Sequence, residues 1–83
     1  MDPRALRRDP DFQELLERLG VVWDLKAAAS VLAWDQETWM PPEGAPARAR
    51  QLATLSRLRH ELFTAPRLGE LLERLQERTR ELP

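Results

Sequence analysis

The sequence predicts an all-α protein with three helices, over about residues 10–38, 46–63 and 66–82. Apolar residues recur at intervals of three and four along each stretch, which places them on one face of a helix. Prolines stand near the ends of the three stretches, where they start or stop helices. No stretch alternates between apolar and polar residues as a half-buried strand would, so no strand is expected.

The first predicted helix begins at Asp9 and Pro10, after a basic lead-in over residues 1–8 that we expect to be frayed. Asp9 can cap free N–H groups, and proline suits the first helical position. The apolar spacing starts with four residues, Phe12, Leu15, Leu16 and Leu19. It continues past Gly20 without an offset, so one helix is expected to reach about residue 38, with Gly20 as the point where it could bend.

The second half of this helix is uncharged from Ala27 to Trp34. A helix that is apolar on every side is usually buried on every side, and a chain of 83 residues has little material to surround it. The helix would also be about 43 Å long, whereas a compact domain of this size is only about 30 Å across. We therefore expect the chain to be elongated, self-associated, or part of a larger protein.

The second and third predicted helices follow a turn at residues 41–44. Pro46 can open the second helix, and Pro66 lies in the first turn of the third. The apolar face of the second helix consists of Leu52, Leu55, Leu58 and Leu62. That of the third consists of Leu68, Leu71, Leu72, Leu75, Thr79 and Leu82. The long first helix is thus expected to turn into a hairpin-like helical array.

Charge and composition argue against several classes of function. Thirteen basic and fourteen acidic residues give a formal net charge of -1, so we expect neither a nucleic-acid nor a membrane partner. The chain has no cysteine, hence no disulfide and no thiolate metal site. Its longest uncharged apolar run, residues 27–34, is far shorter than a membrane span. We expect a cytoplasmic location.

Few residues of the chain are candidates for metal-dependent chemistry. His60 is the single histidine, and the segment 60–64 (HELFT) has Thr64 where the HExxH motif of zinc peptidases needs a second histidine. One histidine holds zinc poorly, so we expect no catalytic, cofactor-binding or metal-binding residue in this chain. We interpret His60 as a surface or interface residue. Four arginines, Arg48, Arg50, Arg57 and Arg59, are interpreted as a solvated face rather than a phosphate site.

Two carboxylates at the end of the first predicted helix need a different explanation. Asp35 and Glu37 precede Pro41, which ends the helix, so their charges face the negative end of its dipole. Paired catalytic carboxylates are one alternative. We favour a structural role in which the two carboxylates are polar anchors of the corner and an arginine, with Arg48 the best candidate, donates hydrogen bonds to Asp35 or Glu37. Three side chains are expected to pack the corner, Trp34, Trp39 and Met40.

Residues 28–42, with the sequence AASVLAWDQETWMPP, closely resemble the N-terminal signature of the carboxypeptidase Taq family. Residues 51–55 (QLATL) and 60–62 (HEL) resemble the next helix of that family, and the similarity extends over most of residues 12–75. The positions that carry the resemblance are Trp34, Asp35, Gln36, Glu37, Thr38, Met40, Pro41, Pro42 and Arg48.

Members of this family are largely helical, usually homodimeric zinc metallocarboxypeptidases of the HExxH type. The resemblance therefore implies that residues 1–83 are one helical segment, the N-terminal part of a larger enzyme that releases C-terminal amino acids from peptides. The family's HExxH helix and downstream glutamate ligand lie far beyond the position corresponding to Pro83, so no catalytic or zinc-binding residue is carried over.

On this interpretation the segment forms part of the wall of the substrate cleft and is inactive alone. Its partner is the rest of the parent enzyme. Zinc and peptide substrate are expected only in the full-length enzyme. The alternative is a stand-alone helical interaction module that self-associates through its apolar helix faces. Both interpretations predict exposed apolar area in the monomer.

Overall fold

The computed structural model describes residues 2–80, which form four α-helices and one 3-10 turn. The helices are α1 (Pro3–Arg8), α2 (Pro10–Thr38), α3 (Ala45–Phe63) and α4 (Pro66–Thr79), and the 3-10 helix spans Pro42–Gly44. Residues 2–80 contain no strand. The predicted all-α class is therefore confirmed.

The three predicted helices are present, with small changes at their ends. α2 has the predicted bounds and runs through Gly20 without a break, and α3 begins one residue earlier than predicted. α4 begins at Pro66 as predicted and ends at Thr79. The remainder of the predicted third helix, including Leu82, falls on residues 81–83, which lie outside the described part of the chain.

The prediction that residues 1–8 form a frayed lead-in is wrong, because Pro3–Arg8 form α1. The Asp2 side chain accepts a hydrogen bond of 3.0 Å from the backbone N–H of Arg4, which caps the start of the helix. A six-residue helix is too short to be stable alone. Leu6 packs against the buried core, and this tertiary contact, which the local sequence pattern does not show, stabilises α1.

The buried core lies between α1, the first half of α2, and α4. It is formed by Leu15, Leu68, Leu71 and Leu75, with Leu6, Phe12 and Leu19 packed against it. Leu71 is completely buried, whereas its neighbour Leu72 is 44% exposed. The predicted apolar face of α4 therefore packs on α2 through three of its leucines, and Leu72 lies at the edge of the contact.

A buried leucine contributes roughly 1.5–3 kcal/mol. A core of four such residues is small, so polar contacts between α4 and α2 add to it. Arg67 makes a two-pronged contact with Glu14, from Nε to Oε2 at 2.7 Å and from Nη2 to Oε1 at 2.9 Å. Arg18 Nε donates to the same Oε2 at 2.8 Å. These hydrogen bonds, first from Arg67 and then from Arg18, lower the pKa of Glu14 to about 2.

The opposite end of α4 is joined to the start of α2 through Asp9. The buried Asp9 carboxylate accepts a hydrogen bond of 2.8 Å from the Asp11 N–H, as the predicted cap requires. Its other oxygen lies 2.9 Å from Nη1 of Arg78. Arg78 also pairs with Asp11. One carboxylate thus caps α2 and binds α4 at the same time.

α3 packs along α2 from about residue 19 to residue 35, in the antiparallel direction. Arg48, at the start of α3, contacts Asp35 near the end of α2, and Phe63, at the end of α3, shares a groove with Trp23. The contact is more extensive than the α4 contact, but its side chains are less deeply buried. Of the four leucines on its predicted apolar face, Leu52 and Leu55 are half-buried, and Leu58 and Leu62 are 37% and 38% exposed.

The described chain is elongated, which is one of the three alternatives that the length of the first predicted helix left open. Its dimensions are 56 × 23 × 18 Å and its radius of gyration is 17.9 Å, compared with about 12 Å for a compact domain of this size. Within residues 2–80, no helix combines the length and hydrophobicity that crossing a bilayer requires.

Candidate functional site at the corner between α2 and α3

The corner, which we define as residues 34–42, turns the chain from α2 into α3. α2 ends when the N–H groups of Trp39 and Met40 both donate to the carbonyl oxygen of Asp35, at 2.9 and 3.0 Å. Pro41 is extended and Pro42 opens the 3-10 turn. The Gly44 N–H donates to the Pro41 carbonyl at 3.0 Å. The two prolines therefore stop one helix and start the next, as the sequence predicted.

Arg48 holds this corner closed from the first turns of α3. Its Nη1 donates to the Asp35 carboxylate at 2.9 Å and to the Leu32 carbonyl oxygen at 2.8 Å. Its Nε donates to Oε1 of Gln51 at 3.1 Å. The Arg48 side chain is only 17% exposed, so its charge is largely removed from water and compensated by these acceptors. The predicted pairing of Asp35 with Arg48 is present.

Glu37 does not share this role. Its side chain is exposed and makes no hydrogen bond or ion pair within residues 2–80, so the expectation of two polar anchors is wrong for Glu37. It lies two residues beyond Asp35, which turns it about 200° around the helix and away from Arg48. Gln36 is exposed as well. Thr38 donates from its hydroxyl to the Trp34 carbonyl at 2.8 Å, within its own helix.

The tryptophans do not pack the corner. Trp34 is 60% exposed and Trp39 is 77% exposed, so the expectation that they fill it is wrong in this chain. Met40 alone is half-buried. A Cβ atom added at Gly44 would lie 3.3 Å from the Met40 Cγ, which shows how closely Met40 lies over the turn.

An exposed apolar stripe runs along α2, on the side away from α3 except at Trp23, which also borders α3. We define the apolar stripe as Leu16, Trp23, Ala27, Val31 and Trp34, whose spacing places them within about 80° of one another around the helix. All five are exposed, Trp23 and Val31 each at 64%. Residues 27–34 stood out in the sequence as an uncharged stretch but were not grouped with Leu16 and Trp23. The helical spacing of these residues, continued across Gly20, would have revealed the whole stripe.

A groove of about 620 Å³ lies between α2 and α3. Its lining is Leu19, Val22, Trp23, Lys26, Ser56, Arg59, His60 and Phe63. The Lys26 ammonium group lies 5.2 Å from the centre of the Trp23 ring, a cation–π distance. His60, interpreted from the sequence as a surface or interface residue, is exposed and belongs to this groove.

The described residues do not fit a zinc ion. Among residues 2–80, no three His, Asp or Glu side chains are grouped closely enough to hold a metal, whereas a zinc site needs three or four ligands. The Asp35 carboxylate, which lies at the corner, accepts a hydrogen bond from Arg48. The geometry of the corner is that of a structural clamp between two helices.

These features define an all-α chain with a clamped helical corner and a large exposed apolar surface. The sequence profile of the family described as carboxypeptidase Taq (M32) metallopeptidase matches residues 14–82. The chain therefore belongs to the carboxypeptidase Taq family of metallopeptidases.

Two relatives support this assignment. Thermostable carboxypeptidase 1 of Thermus thermophilus is 43% identical over 65 residues, which is 78% of this chain and 13% of the relative. Thermostable carboxypeptidase 1 of Pyrococcus furiosus is 37% identical over 63 residues, 76% of this chain and 13% of the relative. The chain thus spans only about an eighth of the length of these relatives. No solved structure matches it.

Proposed function

We propose that residues 1–83 form the N-terminal helical segment of a larger zinc-dependent metallocarboxypeptidase, which releases C-terminal amino acids from peptides. The observation that carries the proposal is the family match over residues 14–82 in a chain that spans only 13% of its relatives. The zinc ion and the residues that use it would then come from the rest of the enzyme, and peptide would be the substrate of the whole enzyme only.

Within that enzyme the segment contributes packing and a wall of the substrate cleft. The packing role is supported by Arg48 at the corner, which donates hydrogen bonds to the Asp35 carboxylate and to the Leu32 carbonyl oxygen. A group held in this way stabilises an arrangement of helices instead of exchanging protons with a substrate. The apolar stripe on α2 is a suitable surface for the remainder of the enzyme to cover, because exposed patches of this type mark interfaces.

The proposal is tested with the purified 83-residue chain alone. We expect no release of C-terminal amino acids from a blocked dipeptide, and less than stoichiometric zinc by metal analysis after dialysis. Carboxypeptidase activity with one zinc ion per chain would contradict the proposal.

A complementation experiment gives the positive half of the test. The Thermus thermophilus carboxypeptidase is produced without the segment that matches this chain, and the 83-residue chain is then added. Recovery of carboxypeptidase activity is expected with the unaltered chain. The Trp34→Glu variant is the matched control, since it places a charge in the apolar stripe and should recover less activity.

The second candidate is a stand-alone helical module that self-associates. The observation that favours it is the exposure of Trp23, Val31 and Trp34 on one face of α2. The two candidates differ in what covers this face, the rest of an enzyme or another copy of the chain. The homodimeric state implied by the resemblance and the expected cytoplasmic location stay predictions.

A further inference from the structure

The groove between α2 and α3 has a chemistry of its own, separate from the clamp at Arg48. Its apolar part is formed by Leu19, Val22, Trp23 and Phe63. Trp23 is 64% exposed and Phe63 is 57% exposed, so two aromatic rings face water where the two helices part. Its volume of about 620 Å³ lies within the range of binding clefts, roughly 300–1,000 Å³.

The charge in the groove has one sign. Lys26 and Arg59 belong to its lining, and no Asp or Glu does. Neither cation forms an ion pair with a carboxylate of residues 2–80, although nine such pairs occur elsewhere in that part of the chain. By contrast, Arg57 on another side of α3 is paired with Glu61. The groove therefore lacks the carboxylates that its two cations would favour.

We propose that this groove binds a peptide segment in which one or two acidic side chains stand next to apolar ones. Apolar side chains of the segment lie against Trp23 and Phe63, and its carboxylates face Lys26 and Arg59. The proposal is independent of the proposed enzymatic role, because it depends only on the lining of the groove.

The dimensions of the groove suit such a segment. Its lining spans residues 19–26 of α2 and 56–63 of α3, so each wall is about two helical turns, or roughly 10 Å, long. This length matches about three residues of extended peptide. The five residues of the apolar stripe carry no carboxylate of their own, so a second copy docking through these residues would not supply from them the charge that Lys26 and Arg59 favour.

The test uses the uniformly ¹⁵N-labelled 83-residue chain and a blocked tetrapeptide, acetyl-Leu-Glu-Glu-Phe-amide. Addition of the peptide should shift the indole N–H resonance of Trp23 and the backbone resonances of residues 56–63. The matched peptide acetyl-Leu-Gln-Gln-Phe-amide should bind about tenfold more weakly, since two exposed ion pairs are lost. This comparison uses the unaltered chain, so it does not depend on whether a variant folds.

Substitutions of the two cations test whether the charges of the groove bind the peptide. Lys26→Gln and Arg59→Gln should each weaken binding of the glutamate peptide by about threefold to fivefold. Arg57→Gln is the control, since that arginine lies outside the groove, and it should leave the affinity unchanged. Equal affinity for the two peptides would overturn the proposal, as would shifts centred on the indole N–H of Trp34.

One further outcome would also overturn it. Aromatic rings beside cations are a common surface for single-stranded nucleic acid, so oligothymidylate of ten nucleotides is titrated in parallel. Tighter binding of this probe than of the glutamate peptide at Trp23 would reject a peptide as the occupant. Weaker or absent binding of oligothymidylate supports the peptide.

Discussion

Arg48 is the side chain that keeps the end of α2 against the start of α3. Asp35 lies in the last turn of α2, where the helix dipole disfavours a negative charge. Arg48 Nη1, at 2.9 Å, compensates this charge and at the same time binds the Leu32 carbonyl. The acid is therefore stable at a position that the dipole alone would make unfavourable.

Asp35→Asn should lower the free energy of unfolding by about 1 kcal/mol, because a charge-assisted hydrogen bond becomes a weaker neutral one. The value is at the low end of the usual range, since the Asp35 side chain is 39% exposed and water screens the pair. Urea unfolding followed by circular dichroism measures it. Glu37→Gln is the control, because Glu37 is exposed and unpaired within residues 2–80. Identical midpoints for Asp35→Asn and the unaltered chain would reject a stabilising role for the clamp.

The lowered pKa of Glu14 predicts that the stability of the fold depends on pH. Hydrogen bonds from Arg67 and Arg18 lower its pKa in the folded chain to about 2, from an ordinary value of 4.5. Since the folded form binds the proton less tightly, the unfolded form takes up more protons as the pH falls. The contribution of Glu14 is therefore fully present above about pH 4.5 and is lost between there and about pH 2.

The measurement is urea unfolding at several values between pH 2 and pH 6, for the unaltered chain and for Glu14→Gln. The difference in stability between the two should shrink steadily as the pH falls. Glu73→Gln, which changes an exposed residue on α4, should show no such trend. A difference that stays constant with pH would contradict the assigned pKa.

At the scale of the element, α4 is held to α2 by one completely buried leucine and its neighbours. Leu71→Ala should lower the free energy of unfolding by roughly 2–5 kcal/mol, which is the usual cost of such a cavity in a core. The adjacent Leu72 is 44% exposed, so Leu72→Ala should cost much less. Urea denaturation of both variants gives the comparison. Similar losses for the two would mean that α4 does not pack on α2 through Leu71.

The helices were predictable from the sequence because their signals are local. Asp9 and Pro10 fix the start of α2, and the prolines at positions 41 and 42 fix its end. α1 was missed because a helix of six residues owes its stability to the contact of Leu6 with a core formed by residues distant in sequence. Asp2 and Pro3 are the same kind of start signal as Asp9 and Pro10, but a start signal followed by only six helical residues does not by itself predict a stable helix.

Only part of the corner was predictable from the sequence, because some of its features depend on contacts with distant residues. The pairing of Asp35 with Arg48 follows from charge and from a short connection between two helices. The burial of Trp34 and Trp39 was inferred from their apolar character alone. Burial needs a second surface, and residues 2–80 do not supply one at these positions.

At the scale of the whole molecule, α2 acts as a rod with different neighbours along its length. α4 and α1 cover its first half, α3 covers one side from about residue 19 onward, and the apolar stripe remains open to water. This arrangement explains the length of 56 Å against widths of 23 and 18 Å. An isolated rod of this kind has little core for its surface, so its stability is expected to be low.

The open stripe predicts that the purified chain associates as its concentration rises, because association would remove Trp23, Val31 and Trp34 from water. Light scattering and sedimentation over a wide concentration range should show an average mass that increases with concentration. Val31→Gln and Trp34→Gln together should shift this increase to higher concentration without reducing helix content, since both side chains are exposed at 60% or more. Leu72→Gln, an exposed apolar residue on α4, is the matched control and should leave association unchanged. A stable monomer at high concentration would mean that the stripe is tolerated in water, and the self-associating module would then be rejected.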